Sequence, residues 1–153
     1  IDLREVIRRA VENLKVPLEE KGFVLLIKIP EIPVPVLGDP EALEQVLINL
    51  LVNAEKYSGR IQQIEVTLTA EGGRALITVS DRGIGIPKGS AKKIFKKFYR
   101  VDDSLTTRVK GTGLGLTIAL AILRDHRGEL TYQPREGGGS CFIITIPIVK
   151  IGE

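Results

Sequence analysis

Apolar residues recur at helical spacing from the first residues of the chain. Leu3, Val6, Ile7, Ala10, Val11 and Leu14 fall on one stripe, with Asp2 placed as an N-cap and Glu5 three residues on. The pattern predicts an opening helix that Pro17 ends or kinks near Lys15, with one further turn over 17–21 closed by Gly22. Residues 23–29 read FVLLIKI and predict a strand, after which Pro30, Pro33 and Pro35 make an irregular or edge segment. Asp39-Pro40 then opens a second helix, carried by Leu43, Val46, Leu47, Leu50, Leu51 and Ala54 and stopped at Ser58-Gly59.

The period changes to two over 64–69 and 75–79, and Gly72-Gly73 joins these runs as a hairpin. A loop rich in Gly and Pro follows over 81–89, then a short helix over 91–98. Residues 101–110 are polar without periodicity and predict a loop. Gly111 to Gly115 lead into a helix over 116–127. Strands over 129–133 and 140–148 flank Gly137-Gly138-Gly139. Helices and strands mix without strict alternation, which predicts a helical layer on one face of a mixed or antiparallel sheet.

Length and composition narrow this to one domain. The chain has 153 residues, 43% hydrophobic and 27% charged, and its apolar runs are far too short to span a bilayer. Asp2, Arg4 and Glu5 interrupt the start, so no signal peptide is expected. The chain begins at Ile1 and has no methionine, so it is expected to be a piece of a longer protein. Its one cysteine, Cys141, excludes an intrachain disulfide and is expected to be a small buried residue. A net charge of +3 and a pI near 9.1 raise the question of nucleic acid. Acids and bases are mixed throughout, however, and the densest cluster is Lys92, Lys93, Lys96 and Lys97 beside a glycine-bearing loop, which suits a small phosphate-bearing ligand.

Three constellations carry candidate chemistry. Asn49 and Asn53 lie one turn apart on the second helix, with Lys56 beyond them. A carboxamide oxygen can bind Mg²⁺, although an isolated pair more often satisfies nearby backbone groups. Asp81-Arg82-Gly83-Ile84-Gly85-Ile86-Pro87 puts a carboxylate where a strand meets a glycine turn. Such a carboxylate can accept from an amino group such as that of adenine, or the segment is an ordinary turn. Gly111-Thr112-Gly113-Leu114-Gly115-Leu116 opens a helix, where N–H groups favour phosphate, or it is a hinge. It is neither a Walker A loop nor a Rossmann fingerprint.

Taken together, NLLVNAEKYS (49–58), DRGIGIP (81–87), FKKFYRVD (95–102) and GTGLGLTI (111–118) resemble, in order and spacing, the N, G1, F and G2 boxes of sensor histidine kinases. The likeness extends to Asp39-Pro40, Gln45, the His126 segment and Gly138-Gly139-Ser140-x-Phe142. It implies an α/β two-layer sandwich of the Bergerat type, with a mixed, largely antiparallel sheet of about five strands packed on three helices. It also implies a catalytic ATP-binding domain that transfers the γ-phosphoryl group of Mg-ATP to a histidine on a separate helical hairpin. That hairpin would lie outside this chain, and a response regulator would accept the group next.

By the same resemblance, Asn53 binds Mg²⁺, Asn49 assists at the phosphates, and Lys56 and Arg100 stabilise them. Tyr57 packs on the nucleotide, Asp81 reads adenine, and Gly83, Gly85 and Ile86 shape its pocket. Lys110, Gly111, Thr112, Gly113, Leu114, Gly115 and Leu116 meet the phosphates beneath a lid over 101–110. Phe95 and Phe98 pack the base of that lid, meet the helical partner, or are plain core, which is the reading favoured for Phe95. His126 is read as structural. The domain is expected to be cytoplasmic, monomeric when isolated, and not to bind nucleic acid. Lys96 and Lys97 are more basic than the family pattern, Lys110 stands where a small residue is usual, and Arg127 replaces a usual glycine. Two alternatives share the fold: a regulatory nucleotide-binding module without transfer activity, and a serine kinase of the anti-sigma-factor type.

Overall fold

The computed structural model describes residues 1–56, 60–82, 114–134 and 138–149. Its elements are α1 (Leu3–Glu20), β1 (Val24–Lys28), α2 (Pro40–Lys56), β2 (Gln63–Glu71), β3 (Arg74–Asp81), α3 (Leu114–Asp125), β4 (Glu129–Pro134) and β5 (Ser140–Pro147). The five strands form one sheet in the order β1-β2-β3-β5-β4. β1 runs parallel to β2, as the intervening helix α2 allows, and every other pair is antiparallel.

Strand periodicity sorts the side chains. Ile64, Val66 and Leu68 of β2, Ala75, Ile77 and Val79 of β3, and Phe142, Ile144 and Ile146 of β5 are all buried. The residues between them, Glu65, Thr67, Leu76, Thr78, Ile143 and Thr145, are only half-buried, which places them on the face away from the core. The inner row meets Leu43, Val46, Leu47, Leu50, Leu51 and Ala54 of α2. α2 lies centrally, touching α1, α3, β2 and β3. This is the two-layer, mixed-sheet architecture that the resemblance implies.

The local chemistry explains the boundaries. Asp2 caps α1, accepting from the N–H groups of Arg4 and Val34 at 3.1 Å each. Burial pushes its carboxyl up, but the hydrogen bonds from Arg4 and Val34 and the Arg4 charge outweigh that and leave it below the ordinary value. Of the two outcomes expected at Pro17, an end or a kink, α1 does not end there: the helix runs through it to Glu20, and the further turn expected over 17–21 continues it. Pro17 is exposed, so the carbonyl left unbonded one turn back can meet water, while the buried Leu18 anchors the last turn. The Gly22 N–H bonds Glu19 O at 3.0 Å and the Phe23 N–H bonds Leu18 O at 3.0 Å, a Schellman closure with Gly22 at φ 92°. Gly72 and Gly73, at φ 59° and 77°, make the two-residue β2–β3 turn.

The strand over 23–29 and the irregular proline stretch form as expected, and Cys141 departs from its expected burial. β1 is apolar in sequence yet largely exposed, with Val24 at 55% and Leu26 and Ile27 at 37% each, because it stands at the sheet edge. The proline stretch forms no regular element but is tied down: Leu3 N–H bonds Val34 O at 2.9 Å and Val149 N–H bonds Pro35 O at 3.0 Å. Cys141 is half-buried rather than core, since it falls between the inward-facing Ser140 and Phe142. The expected short helix over 91–98, the loop over 83–89 and the lid over 101–110 lie outside the described residues.

Candidate functional site

α2 is the platform. Asp39 caps it, with Oδ1 accepting from the N–H groups of Glu41 at 3.0 Å and Ala42 at 3.4 Å. The Asp39 N–H donates in turn to Nε2 of His126 at 3.0 Å. Nε2 is therefore an acceptor, so Nδ1 carries the proton and donates to Ile122 O at 2.7 Å. His126 thus pins the end of α3 to the start of α2, which agrees with its structural reading. The fit is close: a Cβ at Gly38 would stand 2.4 Å from His126 Cδ2.

Further along α2, Asn49 and Asn53 are half-buried beside the buried Leu50, Leu51 and Ala54, and Lys56 is exposed in the last turn. Gln45 Nε2 donates to Asn49 Oδ1 at 2.8 Å. The two candidate carboxamides therefore sit at the margin of the core-facing stripe, one turn apart.

Asp81 ends β3 on the inward-facing row, two residues beyond Val79, and is only 4% exposed. A carboxylate in an apolar row needs compensation. Part of it comes from β5: the Ser140 N–H donates to Asp81 Oδ1 at 3.2 Å. That bond requires β5 to approach closely, which Gly139 permits. A Cβ there would lie 2.0 Å from the Asp81 carbonyl oxygen, and φ is 101°. The sequence showed Gly138-Gly139-Ser140 only as a turn; its service to Asp81 rests on strand order.

Two buried polar atoms lack a partner among the described residues, Arg82 Nε and Thr117 Oγ1. Arg82 directly follows Asp81, and Thr117 lies in the first turn of α3. Buried polar groups are nearly always satisfied, so each of these two atoms has hydrogen-bonding capacity left for a polar partner. Neither was singled out from sequence. Leu114 and Gly115 begin α3 in helical backbone, and Leu116 is half-buried against the core. Tyr57, Gly83, Gly85, Ile86, Arg100, Lys110, Gly111, Thr112 and Gly113 lie outside the described residues, as do Phe95 and Phe98.

Among the described residues no three His, Cys, Asp or Glu side chains cluster to hold a metal. The Asn53 carboxamide oxygen is a hard donor of the kind Mg²⁺ accepts while keeping most of its own waters. No described helix is long and apolar enough to cross a membrane. An apolar groove of about 1020 Å³ lies elsewhere, lined by Ile27, Pro30, Ile32, Thr67 and Ile148 among others, and holds none of the candidate residues.

Residues 38–150 match the family model described as histidine kinase-, DNA gyrase B- and HSP90-like ATPase. The chain is 35% identical to the sensor histidine kinase MtrB of Mycobacterium leprae over 98% of its own length and 26% of that protein. It is 36% identical to the sensor protein kinase WalK of Staphylococcus epidermidis over 100% of its own length and 25% of that protein. It therefore spans about a quarter of the relatives it matches. Among solved structures, the nucleotide-free catalytic domain of histidine kinase ThkA superposes with a TM-score of 0.83 at 29% identity, covering 96% of this chain and 93% of that one. Full-length ShkA in complex with AMPPNP superposes with a TM-score of 0.84 at 25% identity, covering 100% of this chain and 31% of that one.

Proposed function

Because the chain belongs to the histidine kinase-, DNA gyrase B- and HSP90-like ATPase family, and is homologous over its whole length to sensor histidine kinases, we propose that it binds Mg-ATP and phosphorylates a histidine on a separate helical domain. The observation that carries this reading is Asp81, a buried carboxylate on an apolar strand row, oriented by the Ser140 N–H and followed in the sequence by Gly83 and Gly85. A carboxylate has acceptor capacity on both oxygens, so holding Oδ1 orients the group toward an amino donor such as that of adenine.

The remaining roles are those that the family resemblance implies. The α3 start, with its backbone N–H groups, favours the phosphate chain. Lys56 and Arg100 supply positive charge where it accumulates during transfer. Asn53 offers an oxygen to Mg²⁺, which when bound neutralises phosphate charge. Tyr57 packs on the nucleotide, with Gly83, Gly85 and Ile86 shaping the base pocket. Lys110, Gly111, Thr112, Gly113 and Leu114 close over the phosphates, with Gly115 and Leu116 at the helix start. In the step itself an imidazole nitrogen of the acceptor bonds the γ-phosphorus, the bond to the β–γ bridging oxygen breaks, and ADP leaves. Asn49 is a neutral amide and a poor base for activating water. That favours transfer to a histidine over hydrolysis. The histidine would come from a helical hairpin outside this chain, and a response regulator would receive the phosphoryl group from it, in the cytoplasm.

Calorimetric titration with an ATP analogue, with and without Mg²⁺, tests this. Asp81→Asn is expected to weaken binding roughly tenfold or more, the scale of a hydrogen bond to a charged group. Asn53→Ala should weaken it only when Mg²⁺ is present. A folded, unmodified domain that binds no analogue would sink the reading.

A further inference from the structure

We infer that the Thr117 side chain binds the phosphate chain, donating a hydrogen bond from its hydroxyl in the first turn of α3; the inference rests on the nucleotide-binding reading above. The starting point is an imbalance inside the fold. Thr117 is half-buried, its Oγ1 is closed off from solvent, and no group among the described residues bonds it. A hydroxyl shut away from water without a partner costs free energy, so its presence points to a partner that arrives from outside. Packing alone does not call for threonine here. Valine has the same branched shape and a similar helix propensity, without the hydroxyl.

The packing of the helices says which part of a nucleotide the hydroxyl meets. The His126–Asp39 hydrogen bond ties the end of α3 to the start of α2, and the two helices touch. From that tie they run antiparallel. Thr117 and Asn49 then stand at similar distances along their helices, roughly 13–15 Å at about 1.5 Å per residue. The first turn of α3 is therefore level with the half of α2 that carries Asn49 and Asn53, the end of the site assigned to phosphate and cation. Thr117 lies at the margin of the packed stripe of α3, beside the half-buried Leu120 and the exposed Ala121 and Arg124. From there a hydroxyl can donate to a phosphate oxygen alongside the N–H groups of the same turn, and a charged acceptor makes that bond a strong one.

The test compares Mg-bound AMPPNP with adenosine, which has the base but no phosphate, and adds urea unfolding of the ligand-free domain. Thr117→Val keeps the shape and removes the hydroxyl, whereas Thr117→Ser keeps the hydroxyl. By calorimetry, Thr117→Val should weaken Mg-AMPPNP roughly tenfold, the scale of one hydrogen bond to a charged group, with adenosine affinity unchanged. Thr117→Ser should stay within about threefold of the unmodified domain for both ligands. Without ligand, Thr117→Val should unfold at the same or a higher urea midpoint, because a buried hydroxyl without a partner has been removed. Unchanged Mg-AMPPNP affinity in Thr117→Val, or an equal loss for adenosine, would overturn the inference while leaving nucleotide binding intact. A lower ligand-free midpoint would overturn it too, since the hydroxyl would then be bonded within the fold. Failure of the unmodified domain to bind either ligand would remove both readings.

Discussion

Arg127 carries φ 58°, the left-handed region that glycine occupies at low cost and other L residues do not. The backbone geometry is one that glycine suits. The Arg127 N–H bonds Arg124 O at 3.0 Å and the Gly128 N–H bonds Leu123 O at 2.7 Å, which is the Schellman closure of α3 with Arg127 at its left-handed position. Arg127→Gly should therefore stabilise the domain. Relief of about 1–2 kcal/mol of strain, less the roughly 0.5–1 kcal/mol that glycine loses in chain entropy, leaves a gain of about 0–1.5 kcal/mol. Urea unfolding would register this as a higher midpoint with an unchanged slope. A lower midpoint would mean that the arginine side chain contributes more than the backbone costs. Gly139 is the opposite case, since its φ of 101° and the 2.0 Å approach to the Asp81 carbonyl leave no room for any side chain.

Elements are joined by contacts that no periodicity reveals. His126 connects the end of α3 to the cap of α2 through Asp39, 87 residues away in sequence. Gly38 leaves the space for its ring. His126→Ala should cost about 1 kcal/mol, the net worth of an ordinary hydrogen bond, since the Asp39 N–H is exposed and can bond water instead. Gly38→Ala should also destabilise, through the 2.4 Å clash with the ring. The double variant should be less destabilised than the sum of the two, because the clash disappears with the ring. Additive losses in denaturant titrations would show that Gly38 matters for another reason. α1 carries the contrasting lesson. Pro17 was legible as a breaker, yet the burial of Leu18 and the Gly22 closure hold the last turn in place. Tertiary packing there outweighs one missing hydrogen bond.

Across the whole molecule, the candidate groups come from separate stretches: Asn49 and Asn53 from α2, Asp81 from β3, the Ser140 N–H from β5 and Thr117 from α3. A ligand touching all of them ties both layers together. At about a hundredfold excess over its dissociation constant, Mg-AMPPNP should add about 2.7 kcal/mol of stability. For a domain of this size that raises Tm by roughly 5–10 °C. Under the same conditions Asp81→Asn should lose most of the shift while its ligand-free Tm moves less. A full shift in Asp81→Asn would place the base elsewhere.

The sequence by itself determined the elements, their rough boundaries and the motif set. Burial period is a local property, and glycines, prolines and caps punctuate it within a turn. Asn49, Asn53 and Asp81 were legible for the same reason, since each sits in a short run whose spacing is informative. Strand order, and with it the role of Gly139 and Ser140, was decided only in three dimensions, because residues 59 apart meet when β5 pairs with β3. So was the exposure of an apolar β1, which depends on its place at the sheet edge. Local pattern states which groups a chain has; only long-range pairing decides which of them face one another.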